Sequence, residues 1–263
     1  MNTNTSMNTN MNTSTKMTVL TNVFNEEYLL PFWLEHHKKI FDHGIIIDYR
    51  STDRSMDICR AIVPTWTIIT SKNEKFCAFD IDKEFVELEN EIEGIKIVLN
   101  TTEFLCSVTP IKSIFQNLPS PISLSVNQIS PYSLRADFYP NSLQELFRSL
   151  LRPDVMFAYS RGARHIHNHK NGNYTVGRHL TYHPMHMVNN IFIFWFGRYP
   201  FNPSMEKRIL QIKQNIPESD IQADMSIHHL ITKSELYPDL QMRYKYAIPL
   251  KVLNFIAYHY LHR

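Results

Sequence analysis

Short apolar runs alternate with amphipathic segments along roughly the first hundred residues of the chain. The runs at 17–24, 45–47, 65–70 and 95–99 are rich in β-branched and apolar residues, which is typical of buried strands. Segments between them place apolar residues at helical spacing. Because strand and helix alternate four times, the pattern predicts an α/β fold built on a mostly parallel, right-handed sheet flanked by helices.

Polar residues after the first two predicted strands are the expected helix caps. Asn25 can cap the first helix, and Ser51 or Thr52 can cap a short second helix that ends near residue 62. A third helix with an acidic outer face is predicted over 81–92.

The carboxyl ends of three predicted strands run into polar segments. Asn25 and Glu26 follow the first strand, residues 48–53 follow the second, and residues 100–103 follow the fourth. Ligands of open α/β sheets bind beyond the carboxyl ends of the strands, at a switch point in strand order. We therefore expect the three segments to meet at one edge of the sheet and to form the ligand site.

Residues 161–183 concentrate Arg, His, Asn and Tyr with three of the six glycines. Such a segment suits sugar hydroxyls and phosphates if it reaches the ligand edge, and an exposed polar hairpin is the alternative. Within it His165, His167 and His169 alternate, which predicts one face of a strand that is solvated or turned toward substrate.

Further helices are predicted toward the C-terminus. Ser142 opens one through a capping box, Ser204 caps another that reaches residue 215, and Asp224 opens a third that carries two histidines. Residues 249–263 predict a terminal helix with an aromatic face. That face packs on the domain or touches a membrane surface or a partner.

Composition narrows the class of protein. The hydrophobic fraction of 43% and the charged fraction of 20% are typical of a globular protein, and the net charge of +2 argues against a nucleic-acid partner. Three cysteines without a C-x-x-C pair exclude a disulfide scaffold and fit a reducing, cytoplasmic location. The longest apolar run, 191–196, is far shorter than the about 20 residues that cross a bilayer, so no transmembrane segment is expected.

Several common α/β sites are excluded by motif. With six glycines in the chain, neither G-x-G-x-x-G nor a phosphate-binding P-loop can be written, which argues against dinucleotide and P-loop chemistry. Neither G-x-S-x-G nor H-E-x-x-H occurs.

Three strand-end segments carry motifs that belong together. The first strand ends in Asn25-Glu26-Glu27, and Trp33 precedes His36-His37, which gives an N-E…W-x-x-H-H opening. Residues 48–55 read D-x-x-S-x-D-x-S, and residues 100–105 read N-T-T-E-F-L in the place of a D-x-D-E-F-L metal motif. In these features residues 17–105 resemble a family 2-type glycosyltransferase, whose fold is GT-A.

The resemblance implies a nucleotide-sugar donor and a glycan or other hydroxyl acceptor. In such enzymes the first aspartate of the second motif faces the nucleotide base, a place held here by Asp48. Inversion at the anomeric carbon is expected, with an acidic residue as base. The candidate catalytic residues are Glu103, Asp220 and Asp224. The candidate nucleotide-sugar-binding residues are Asn25, Glu26, Asp48, Arg50, Asp53, Lys72, Asn100, Thr102 and Arg178.

The chain departs from the family at the metal motif. Asn100 and Thr102 stand where two aspartates are expected, and amide and hydroxyl oxygens are poor substitutes for carboxylates on Mg²⁺ or Mn²⁺. We therefore expect no firmly held metal; if one binds, Glu103 and His228 are its candidate ligands. Without a metal, basic groups must neutralise the diphosphate. The candidates are Arg50, Lys72, Arg161, Arg164 and Arg178.

The sequence thus predicts one GT-A-like domain. Residues 1–16 are a polar tail expected to be disordered and are not a secretory signal. Residues 17–105 are the nucleotide-sugar half, 106–235 the acceptor-side half, and 236–263 a C-terminal helical extension that offers a peripheral membrane contact. The predicted activity is sugar transfer to a hydroxyl. The alternatives are a non-catalytic nucleotide-sugar-binding protein of the same fold and a nucleotidyltransferase.

Removal of residues 1–16 should leave the stability of the protein nearly unchanged, because this polar segment has no apolar face to bury. The melting temperatures of the full chain and of a chain that starts at Met17 check this. A loss of several degrees on truncation would show that the tail packs on the domain.

Overall fold

The computed structural model describes residues 16–262 except 116, 117 and 119. The tail predicted at 1–16 lies outside the described residues apart from Lys16. The eight strands of the described sheet are β1 (Met17–Val23), β2 (His43–Asp48), β3 (Thr67–Thr70), β4 (Ile95–Val98), β5 (Glu103–Ser107), β6 (Ser123–Tyr132), β7 (Met156–His167) and β8 (His186–Trp195).

Helices flank the sheet and follow it to the C-terminus. They are α1 (Leu30–His37), α2 (Ser55–Ile62), α3 (Ala78–Glu89), α4 (Ile111–Phe115), α5 (Leu143–Ser149), α6 (Pro203–Gln211), α7 (Glu218–Gln222), α8 (Lys233–Tyr246), α9 (Leu250–Leu253) and α10 (Phe255–Leu261). Short 3₁₀ turns occur at Val176–Arg178, Ile212–Asn215 and Ile227–His229. None of the described helices is both long and apolar enough to cross a bilayer.

The strands form one sheet in the order β3-β2-β1-β4-β7-β6-β8-β5. The first four strands in this order are parallel, as the alternating pattern predicts, and β6 is also parallel to β8. The sheet becomes mixed where β7 joins β4 in the antiparallel sense. The predicted α/β fold class, with its C-terminal helices, is confirmed.

Both faces of the parallel half are covered, which is why β1 and β4 are buried almost throughout. On one face Phe85 of α3 packs with Leu20, Ile47 and Val98. On the other face the buried residues of α1 and α2 join a larger core that extends under β5–β8.

Two predicted caps make other bonds instead. α1 begins at Leu30, after a turn, and Asn25 does not cap it. α2 begins at Ser55 rather than behind Ser51 or Thr52, and the Ser55 N–H donates to Asp53 Oδ1 at 2.9 Å. The reason in both cases is that the polar side chains bond across the sheet edge, as described below, rather than along their own helix.

The C-terminal caps are confirmed in part. Ser142 Oγ accepts the Glu145 N–H at 3.1 Å, as predicted. Asn202, not Ser204, caps α6, because Asn202 Oδ1 accepts the Met205 N–H at 3.0 Å. The predicted terminal helix over 249–263 is broken into α9 and α10 at Asn254, whose side chain caps α10.

The prediction that the alternating histidines are solvated or face substrate is wrong for the two that lie on β7. His165 and His167 are 2% and 1% exposed. His167 Nε2 lies 3.2 Å from Glu89 Oε1, and His165 Nε2 lies 3.1 Å from the carbonyl oxygen of His179. Burial lowers the pKa of His165 to about 4, so its imidazole is neutral at pH 7. His169 lies past the strand end.

α1 is fastened to the strand that carries Glu103. The indole N–H of Trp33, which is fully buried, donates to the Glu103 carbonyl oxygen at 2.9 Å. The Leu105 N–H donates to Nε2 of His37 at 3.2 Å. These bonds fix the position of β5 against α1 and therefore the position of the Glu103 backbone.

Trp33→Phe should destabilise the fold by about 1–3 kcal/mol beyond the cost of its lost packing, because it leaves a buried carbonyl without its donor. Trp66→Phe is the matched control, since no hydrogen-bond partner is found for its indole nitrogen among the described residues. Urea unfolding of both variants measures the difference. Equal losses would mean that the Trp33 bond contributes nothing to stability.

Candidate functional site

The ends of β1 and β2 form one hydrogen-bonded edge. Asn25 has φ 51, and its Oδ1 accepts the Thr52 N–H at 2.7 Å and the Asp53 N–H at 3.3 Å. The Asn25 N–H in turn donates to Ser51 Oγ at 3.1 Å. Asp48 Oδ1 accepts the Ser51 N–H at 2.9 Å, so the half-buried Asp48 carboxylate lies at the mouth of this turn. The predicted meeting of the first two polar segments is present.

Glu26 and Asp53 support this edge from behind. Glu26 is 6% exposed, and both of its oxygens bind the Arg208 guanidinium, at 2.5 and 2.7 Å. Asp53 accepts the N–H groups of Glu27 and Ser55 through its two oxygens, at 3.0 and 2.9 Å. Both carboxylates are thus engaged with the protein itself, and they hold the positions of the turns.

Arg50 and Lys72 lie on the outer side of the same edge and are exposed. Arg50 has φ 60, and its guanidinium donates to the Asn73 carbonyl oxygen at 2.8 Å. Lys72 Nζ pairs with Glu87 Oε2 at 2.8 Å, a contact that raises the pKa of Lys72. Of these two cations, Arg50 is the one in the turn that follows β2.

The turn between β4 and β5 is organised around the Glu103 carboxylate. Glu103 Oε2 accepts the backbone N–H of Asn100 at 2.7 Å and the Nε–H of Arg164 at 2.9 Å. The other carboxylate oxygen, Oε1, lies 2.8 Å from Nη2 of Arg164. Glu103 and Arg164 are 2% and 3% exposed. Thr102 is 4% exposed, and its carbonyl oxygen accepts the Phe196 N–H at 2.7 Å. The carboxylate is therefore neutralised within the fold.

Arg178 approaches this turn from the 161–183 segment. It has φ 60 and is 6% exposed, with its guanidinium paired to Asp82 and lying 4.6 Å from the centre of the Phe85 ring. Nη2 of Arg178 lies 3.4 Å from Asn100 Oδ1. Of the two alternatives for 161–183, the contact with Asn100 favours the one in which the segment reaches the ligand edge. The Arg161 side chain lies outside the described residues.

Arg164 and His179 extend the cluster. Nη1 of Arg164 lies 3.2 Å from Nδ1 of His179. Burial lowers the pKa of His179, and the neighbouring positive charge of Arg164 lowers it further. Glu103, Asn100, Arg164 and Arg178 thus lie together around the end of β4.

The β4–β5 turn does not fit a divalent metal ion. Mg²⁺ and Mn²⁺ select charged oxygen ligands, and Glu103, the carboxylate of this turn, is already bound by Arg164 and a backbone N–H. The Asn100 amide oxygen faces Arg178, and Thr102 is buried. Within 16–262, leaving out 116, 117 and 119, no three His, Cys, Asp or Glu side chains are arranged to hold a metal ion.

The late acidic candidates lie in different environments. Asp220 is fully buried and caps α3, because its Oδ2 accepts the Ala78 N–H at 2.9 Å. Asp224 is exposed, with φ 54, in the turn after α7, and it does not open a helix as predicted. His228 lies in the 3₁₀ turn that follows and is also exposed. No contact among the described residues joins Asp220 or Asp224 to Glu103, whereas His228 lies near enough to His179 to help lower the pKa of His179.

Two residues that hold the site were not predicted. Asp82 pairs with Arg178, and Arg208 pairs with Glu26, across separations of 96 and 182 residues. Asp82 reads in the sequence as one of several acidic residues on an outer helix face, and Arg208 as an outward-facing cation. No local pattern distinguishes them from solvated charges.

Comparisons with known proteins give only distant likenesses. No protein-family model matches the chain, and no curated protein matches it. Among solved structures, glucosyl-3-phosphoglycerate synthase from Mycobacterium tuberculosis, in complex with Mg²⁺ and UDP, is 13% identical over 34% of this chain and 34% of that chain, with a TM-score of 0.28. S. aureus TarS 1-349 is 10% identical over 76% of this chain and 65% of that chain, with a TM-score of 0.39.

HddC from Yersinia pseudotuberculosis is 12% identical over 74% of this chain and 97% of that chain, with a TM-score of 0.35. The match spans less than two thirds of the first two proteins, 34% and 65% of their lengths. At these values the likenesses assign no activity to this chain.

Arg164→Met should destabilise the protein by about 3–5 kcal/mol, because it leaves the Glu103 carboxylate buried without its partner. The matched control is Arg135→Met, which removes an ion pair to Asp137 whose side chains are 55% and 69% exposed, and should change stability by about 0–1 kcal/mol. Chemical denaturation measures both.

The double variant Glu103→Gln/Arg164→Met should recover part of the loss, since it removes both buried charges. If Arg164→Met instead costs no more than Arg135→Met, the Glu103 carboxylate is free in solution, contrary to this structure.

Proposed function

We propose that the protein is a GT-A-type glycosyltransferase, which moves a sugar from a nucleotide-diphosphate sugar to a hydroxyl acceptor without a divalent metal held at the β4–β5 turn. The observation that carries the proposal is the meeting of three polar segments at one sheet edge. Asn25 bonds to the turn after β2, and because β4 runs parallel to β1, the turn after β4 lies at the same edge, where it is joined to Arg178. This is the edge at which α/β sheets of this kind bind nucleotides.

The donor is proposed to lie across this edge with its nucleoside at Asp48. The half-buried Asp48 carboxylate follows a buried strand and retains acceptor capacity beyond its bond to the Ser51 N–H. Asn25 and the 51–53 turn lie beside it at the same edge. Arg50, in that turn and exposed, is the cation best placed to meet a ligand from solvent.

The diphosphate is proposed to face Asn100 and Arg178. The Arg178 guanidinium shares its charge with Asp82, and its Nε is buried without a hydrogen-bond partner among the described residues. A phosphate oxygen that replaced Asn100 as the neighbour of Arg178 would gain a charge-assisted hydrogen bond. This residue therefore takes the part that a metal ion plays in other nucleotide-sugar sites.

The acceptor proton requires a base, and the three candidates differ in availability. Glu103 is held by Arg164, and Asp220 is buried at the start of α3. Asp224 alone of the three is exposed, so it is the proposed base, reaching the acceptor when donor and acceptor are bound.

A second function is favoured by the same contacts. Because Glu103 and Asp220 are both occupied within the fold, a protein that binds a nucleotide sugar without transferring it is the alternative. Binding would use the Asp48 edge in the same way. The two functions differ in whether nucleoside diphosphate is released.

The test is release of free nucleoside diphosphate from a panel of nucleotide sugars with hydroxyl acceptors, in excess EDTA and in Mn²⁺. We expect turnover in EDTA to stay within a few-fold of turnover in Mn²⁺, since the β4–β5 turn lacks the carboxylates that such cations select. Turnover that disappears in EDTA and returns with Mn²⁺ contradicts metal independence. Pyrophosphate release would indicate a nucleotidyltransferase.

Matched variants connect the assay to the site. Asp48→Asn should weaken nucleotide binding by about 1.5–3 kcal/mol, the range for a hydrogen bond to a charged group. Asp57→Asn, on the exposed side of α2, should leave binding unchanged. Nucleotide that binds in an Asp48-dependent way without any turnover would support the non-catalytic alternative.

A further inference from the structure

A cavity lies away from the proposed donor edge, where α1, β5, α5 and α10 meet. It has a volume of about 960 Å³, within the range of small-molecule sites in proteins. Its floor is made by residues of β5 that follow Glu103 and by the terminal helix. The largely apolar lining includes Ile40, Leu105, Cys106, Phe147, Tyr260 and Leu261.

The polar groups on the floor are already engaged or uncharged. Ser107 Oγ donates to the Asn190 carbonyl oxygen at 3.1 Å. Burial raises the pKa of the Cys106 thiol to about 12, so it is a neutral thiol. His36 stacks on Phe147 with ring centroids 5.3 Å apart, and burial lowers its pKa to about 4, so its ring is also neutral. The floor therefore offers apolar contact and few hydrogen bonds.

The rim of the cavity is cationic. Lys39 after α1, Lys112 on α4 and Arg148 on α5 line it, and none of the described lining residues is an Asp or Glu. Lys112 Nζ pairs with Asp42 at 2.5 Å. For the side chains of Lys39 and Arg148, both exposed, no ion-pair partner is found among the described residues.

An apolar floor beneath unpaired cations suits a ligand that has one apolar end and one anionic end. We propose that this cavity binds a single-chain anionic amphiphile, an alkyl or prenyl chain that carries a terminal carboxylate or phosphate. The chain lies on Ile40, Phe147 and Leu261, which are half-buried, and the anionic head meets Lys39 and Arg148. The site is independent of the donor edge, so it stands or fails separately from the proposed transferase activity.

The test is a calorimetric titration of the full-length protein with amphiphiles of equal chain length that differ in their head groups, below the concentration at which they form micelles. The probes are dodecanoate, dodecyl phosphate, dodecanol and dodecyltrimethylammonium. The carboxylate or the phosphate should bind several-fold more tightly than the alcohol, and the ammonium most weakly. Preference between the two anions distinguishes a fatty acid from a lipid phosphate.

Chain length provides a second measure. Affinity for the preferred head should rise by up to about fourfold for each methylene that enters the cavity, from about 0.8 kcal/mol per buried CH₂. It should then level off once the cavity is filled. Affinity that ignores chain length, or continues to rise only with vesicle formation, overturns the proposal.

Variants place the site. Lys39→Ala/Arg148→Ala should remove the preference for an anionic head while dodecanol binds as before. Gln144→Trp, at an exposed position of the lining, should obstruct all of the probes. Lys245→Ala/Lys251→Ala, on α8 and α9, is the control and should leave binding unchanged. The proposal is overturned if wild-type protein binds none of the probes, or if the rim and control variants behave alike.

Discussion

Glu103 and Arg164 form a bidentate ion pair, 2.8 and 2.9 Å between oxygen and nitrogen, and the shape of the β4–β5 turn depends on it. Removing two charges from water is costly, and the fold offsets this cost with further bonds from the Asn100 N–H to Glu103 and from Arg164 to the Ala163 carbonyl oxygen. The pair thereby connects the end of the parallel half of the sheet to β7, in its antiparallel half. Because the carboxylate is neutralised by a guanidinium, the turn presents an amide and two guanidinium groups paired with carboxylates, where a metal site would present unpaired carboxylates.

This difference from a metal site determines which ligands the sheet edge can bind. An edge rich in carboxylates repels a diphosphate until a cation is bound, whereas Asn100 beside Arg178 can meet the diphosphate directly. The same ion pair makes Glu103 unavailable as a base. One contact therefore removes this carboxylate both as a metal ligand and as a catalytic group. The Asp48 carboxylate, by contrast, accepts the Ser51 N–H and stays half-buried at the sheet edge. In the proposed function, binding and chemistry therefore use different residues, and binding can persist without chemistry.

The sequence predicts the parallel half of the fold well because its signals are local. The run 45–47 is apolar on both faces, and 95–99 is apolar except for Lys96, which indicates that helices cover both faces of these strands. The carboxyl ends of parallel strands meet at one edge of a sheet. The sequence therefore predicts that Asn25 lies close to the 51–53 turn. Their roles as helix caps were wrong, since a cap and a bond to the neighbouring turn use the same atoms and local sequence does not choose between them. Two ion pairs could not be predicted from the sequence: Arg208 with Glu26, and Asp82 with Arg178. Tertiary packing joins their partners across 182 and 96 residues.

We propose that the turns after β1, β2 and β4 form one nucleotide-diphosphate site that needs no metal. Hydrogen–deuterium exchange of the full chain in excess EDTA, with and without a saturating nucleoside diphosphate, tests it most directly. We expect slower exchange at the backbone amides of 25–27, 49–55 and 100–103 together, with 176–179 also protected through Arg178. Protection confined to other segments while the nucleotide is bound, or protection of these turns only after Mn²⁺ is added, would contradict it.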